Sequence, residues 1–149
     1  MAFTTRQEYV QQGVEWINKN KEHLIEMLHQ ALLTQPGTNY KDEPAAYQYE
    51  VARNSLEALI KRLEGEIYAV EKIKQQFIVA LQHGATAIAL TSASDILTEL
   101  LKSETRKGLK NNPAAVEALT ERMDYTNILT KSAIASAQIE FLTQKGLKK

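Results

Sequence analysis

The sequence contains no cysteine. That absence excludes disulfides, a thiolate nucleophile and any zinc site of the Cys type, and it makes an ordinary reducing, cytoplasmic interior the simplest home. Proline and glycine are also scarce, with three and six copies in 149 residues. Chains so poor in breakers are built from long regular elements. No excess of either charge exists, because 18 Lys and Arg balance 18 Asp and Glu. The charges are mixed along the chain, so no strong field is available to draw in nucleic acid or anionic lipid. A role in a nucleoprotein complex would need a basic face created by folding.

Long apolar runs are missing too. The opening residues Met1 to Glu8 lack the apolar stretch of a secretion signal, so the chain reads as starting at its mature end. Gln75 to Ser94 carries no formal charge, but Gln75, Gln76, Gln82, His83, Gly84 and several hydroxyls would be costly in hydrocarbon. The segment therefore reads as a buried corner between helices, and no membrane span is expected.

The residues that are present spell helices. Thr5 and Glu8 have the capping-box spacing, and Val10, Val14, Ile17, Leu24, Leu28 and Ala31 follow in steps of three and four, interrupted by Lys21. A first helix over 6–33 is expected, followed by a turn at Pro36-Gly37. Asp42 and Pro44 open a second helix over 44–83. Tyr49, Leu56, Leu63, Val70 and Phe77 recur every seven residues along it, widened by Leu59, Ile60, Ile67, Ile73, Ile78 and Leu81. This repeat predicts a coiled-coil-like helix of about 40 residues. Glu50, Glu57, Glu64 and Glu71 should form its solvated flank, with Glu57 paired to Lys61.

His83-Gly84 should close the second helix, while 85–91 reads as a helical turn, an extension of the second helix past Gly84, or irregular apolar chain under the bundle. Ser92 to Asp95 offers a cap for a third helix over 93–107, ended by Arg106-Lys107-Gly108-Leu109. Asn112-Pro113 opens a fourth helix over 113–145, with a matching stop at Gly146-Leu147. The expected fold is thus all-α: residues 1–149 as one antiparallel bundle of about four helices. A second helix of roughly 58 Å would overhang a first helix of roughly 42 Å. Its uncovered seam favours a homo-oligomer.

Chemistry-bearing motifs are few. Glu26 and His29 have the Glu-x-x-His spacing of carboxylate-bridged metal sites, and Glu66, within the apolar band, and Glu22 are the carboxylates that could join them. The motif occurs once where such sites use it twice, so a surface pair beside a Leu-rich face is the plainer reading. The other histidines, His23 and His83, have no serine or acid placed as a partner. Glycines are isolated, which leaves no phosphate loop. Ile139, Leu142, Gly146 and Leu147 are spaced as on a helix-turn-helix ending, without its turn glycine or basic side chains.

Candidates for binding a protein partner are the aromatic pair Tyr9 and Trp16, although aromatics at helical spacing more often belong to the core or its edge. The small residues Thr126, Thr130, Ala133 and Ala137 would let another helix approach closely, within the bundle or from a partner. The function expected is a non-enzymatic interaction or assembly module that uses no cofactor, with a helical metal-carboxylate enzyme as the alternative.

Overall fold

A computed structural model describes residues 4–35, 40–65 and 67–146. They are all-helical: α1 (Arg6–Lys19), α2 (Lys21–Leu33), a 3₁₀ turn (Tyr40–Asp42), α3 (Ala45–Leu63), α4 (Ile67–Gln82), α5 (Ala87–Gly108) and α6 (Pro113–Gln144). Glu66, the side chains of Ile67 and Val70, the Pro36-Gly37 turn and the tail from Leu147 lie outside the described part.

The expected first helix divides at Asn20. The Asn20 amide donates to the Trp16 carbonyl at 2.8 Å, and its backbone N–H reaches both Trp16 and Ile17. An asparagine that serves its own backbone in this way competes with helix continuation. Lys21, the interruption in the apolar repeat, meets Glu57 of α3 at 2.7 Å. Glu57 is therefore held across helices rather than paired mainly along its own helix with Lys61.

The expected 40-residue helix also divides. Gly65 has φ +83°, a left-handed conformation that ends α3. The seven-residue repeat continues through this break and hides it, because its two halves serve different cores. Leu56 and Leu63 are fully buried in one, while Phe77 packs against the other. No single helix of the expected length exists, so the overhang that favoured an oligomer disappears with it.

Third, α5 begins at Ala87, well before the expected cap. Thr86 Oγ1 accepts from the Ala89 N–H at 3.1 Å and starts the helix first. The later hydroxyls and acid face α6 instead: Ser94 donates to Asn127, Asn127 donates to Asp95 at 2.9 Å, and Lys131 reaches Asp95 at 2.7 Å. α5 stops at Gly108, as expected, with Arg106 and Lys107 in its last turn, but this glycine does not take the left-handed conformation and has a second job. A Cβ added there would come within 2.2 Å of the Trp16 ring, so the glycine is required for α1 and α5 to touch. Gly84 and Gly146 do take the left-handed conformation, at φ +100° and +72°.

Cross-helix contacts give the directions. Arg53–Glu22 and Lys21–Glu57 set α2 and α3 antiparallel, and Arg6–Glu121 with Asn112–Gln12 does the same for α1 and α6. Ser94–Asn127 and Lys102–Asp124 run α5 against α6. Lys74–Glu140 and Gln82–Gln144 make α4 parallel to α6. One core gathers α1, α2, α3, the later part of α5 and the early part of α6 around Ile17, Leu28, Leu56, Leu101 and Leu119. A smaller one gathers Ile78, Leu81 and Ala137, with Phe77, Leu90 and Phe141 against them. α6 belongs to both and runs unbroken to Gln144, past Ile139 and Leu142 of the stretch compared above with a helix-turn-helix ending.

Candidate interaction surface

α6 has two apolar faces. The inner one holds Ala118, Leu119, Met123, Thr126, Thr130, Ala133, Ile134 and Ala137, all buried. Thr130 Oγ1 donates to the Thr126 carbonyl at 2.8 Å, so this hydroxyl costs nothing in the interior. The small side chains chosen from the sequence thus face the chain's own helices. Tyr9 and Trp16, half-buried, pack on the larger core, Trp16 against Gly108.

The outer face was missed in the sequence. Tyr125, Ile128, Ile139 and Leu142 are 57%, 64%, 69% and 40% exposed, and Ser132 and Ala135 lie exposed between them. Positions 125, 128, 132, 135, 139 and 142 alternate steps of three and four, the spacing of a helix–helix seam. The spacing is present in the sequence, but it interleaves with the inner stripe, so the helix shows no single apolar side.

Charged groups edge this face. Asp124 meets Lys102 at 2.9 Å, and Glu140 meets Lys74 at 3.1 Å. Partial burial pushes the Asp95 carboxyl upward, but the Asn127 amide and the Lys131 ammonium outweigh it and hold the group below the usual carboxylate range. Lys145 lies over the Phe141 ring, 5.1 Å from its centre. Most of these pairs are partly exposed and fix side-chain direction more than they stabilise.

The candidate metal ligands sit elsewhere, on α2. His29 is buried, its Nδ1 3.0 Å from the Tyr40 hydroxyl, with the Tyr49 ring 4.5 Å away. The Tyr40 hydroxyl donates to the Gln48 carbonyl, which leaves His29 Nδ1 to donate to the hydroxyl oxygen. Glu26 accepts from Gln30 at 3.1 Å and from the Tyr49 hydroxyl. Burial, then the Glu26 charge, push the Tyr40 hydroxyl up to about 12. His29 thus clasps the 3₁₀ turn to α2, while Glu26 ties α2 to α3 through Tyr49. Among the described residues no three His, Asp or Glu side chains gather where they could hold an ion. Glu66 lies outside those residues, His23 stands 3.8 Å from Glu104, and His83 Nδ1 lies 2.8 Å from the Val79 carbonyl.

No helix among the described residues is long and apolar enough to cross a membrane. Comparison with known proteins adds no relative, for no family model, no curated protein and no solved structure matches the chain.

Proposed function

We propose that the chain is a non-enzymatic helical assembly module whose outer α6 face binds the same face of a second copy, antiparallel, in the cytoplasm. The observation that carries this reading is the symmetry of the stripe. Turned end for end, Tyr125 falls opposite Leu142, Ile128 opposite Ile139, and Ser132 opposite Ala135. Large groups meet large ones, and the small pair at the centre lets the helices approach closely. A two-fold contact requires this kind of self-complementarity.

Charge supports the same register. In an antiparallel seam the flanking position of Asp124 faces that of Lys145, and the symmetry makes this opposite-charge pair twice. Isolated isoleucines at the surface are ordinary, whereas an aligned row rimmed by ion pairs is the usual mark of a contact surface.

Light scattering at about 100 µM tests the reading. The expected mass is two chains for the native protein and one chain for Ile128→Glu/Ile139→Glu, with helical circular dichroism unchanged because both residues are exposed. A one-chain mass for the native protein at that concentration overturns it.

A further inference from the structure

Between the two cores lies a cavity of about 560 Å³, whose wall takes Leu28 and Leu97 from the larger core and Phe77 and Leu90 from the smaller. That volume falls in the range of roughly 300–1,000 Å³ typical of small-molecule sites. The exposed residues Tyr47 and His83 also border it, which gives a bound molecule a route to solvent.

One residue in this wall is out of keeping with the rest. Arg62 of α3 is only 9% exposed, and its Nε and Nη1 are buried without a hydrogen-bond partner among the described residues. Burial pulls its guanidinium down to about 10, so it still carries its charge at neutral pH. A buried cation without an acceptor is among the costliest groups a fold can hold. Elsewhere the molecule pairs its arginine in full view of solvent, as where Arg53 Nη2 donates to both Glu22 oxygens at 2.9 and 3.0 Å. The carboxylate bordering the cavity, Glu43, is exposed and forms no ion pair with Arg62.

We infer that this cavity is a binding site for an amphipathic monoanion, an alkyl carboxylate of about ten carbons, whose head meets Arg62 and whose chain lies along the aliphatic and aromatic wall. The head brings the negative charge that Arg62 lacks, and a small turn of the guanidinium opens Nε and Nη1, now closed off, to its oxygens; the charges cancel one for one. A phosphate monoester would bring close to two negative charges against a single guanidinium. An uncharged alkyl compound would leave the guanidinium as it is. The inference is independent of the α6 face.

Calorimetric titration of the full chain with decanoate, below its micelle concentration, and with decanol tests this. Decanoate is expected to bind one per chain, about tenfold or more tighter than decanol, the usual worth of a charge-assisted hydrogen bond. In Arg62→Met, decanoate should fall to the affinity of decanol while decanol is unchanged, and the ligand-free variant should melt higher than the native protein. Ala93→Leu keeps the arginine and fills part of the cavity, so it should weaken both ligands even if the methionine variant does not fold. The idea is overturned by no saturable decanoate binding, by equal affinity for the two compounds, or by undiminished decanoate binding in a folded Arg62→Met or Ala93→Leu protein.

Discussion

The two cores are built from the same kinds of residue and differ in how they close. Around Ile17, Leu28, Leu56, Leu101 and Leu119 five helices surround a shared interior, and each of these side chains is essentially removed from water. Around Ile78, Leu81 and Ala137, among the described residues, α4, the start of α5 and the end of α6 contribute. Much of the inner face of α6 there is alanine, which brings helices close but removes little apolar surface from water. One domain can thus contain a firm half and a yielding half, and the cavity lies where they meet.

The largest test of this contrast is truncation. Leu56→Ala should cost about 3–5 kcal/mol in urea unfolding, and Ile78→Ala about 2 kcal/mol, because the smaller core can relax around its void. Equal losses would break the contrast. Amide hydrogen exchange should show α4 opening at lower free energy than α1 to α3, and uniform protection would break it as well.

Gly108→Ala sharpens it by probing how tightly the rim of the larger core is fitted. Alanine is normally better than glycine within a helix by about 1 kcal/mol, yet here its methyl meets the indole of Trp16. A net loss of about 1–3 kcal/mol is expected from thermal melting. A gain would mean that the contact between α1 and α5 is loose.

Alkaline pH probes the clasp on the 3₁₀ turn. Tyr40 ionises near 10.0 when unfolded and at about 12 when folded. Between those values the unfolded chain has lost a proton that the folded chain keeps, so stability falls as pH rises through the window. Tyr40→Phe should lower stability at neutral pH, by removing the bonds to His29 and Gln48, and should flatten this alkaline loss. An unchanged alkaline slope would show that the hydroxyl is not responsible.

The smallest effect is expected at the edge of the larger core. Thr5→Ala removes one half of the capping box, in which Thr5 Oγ1 accepts from the Glu8 N–H at 3.2 Å. About 1 kcal/mol should be lost in chemical unfolding. No change would mean that the first turn of α1 frays freely in the native protein.

What was legible in the sequence was chiefly local. The Thr5–Glu8 box, the Asn112-Pro113 start and the left-handed Gly84 and Gly146 follow from a few neighbouring residues and appear as read. The all-helical class follows from periodicity. The breaks at Asn20 and Gly65 were hidden because a repeat of sevens survives a bend when each segment still needs a buried face. The outer row on α6 was hidden by superposition, since two apolar stripes on one helix average to no clear side. Arg62 gave no signal, because an arginine beside Leu59, Ile60 and Leu63 reads as a helix edge until the packed bundle buries it.

Arg6 is held to Glu121 near one end of α6, and Gln82 to Gln144 at its other end. Dyes placed at positions 6 and 144 would therefore sit roughly 35 Å apart along a single helix, within the working distance of energy transfer. The molecule comes with a built-in spectroscopic ruler. Fraying of the yielding half would register as a change in transfer efficiency at one end while the other stays anchored.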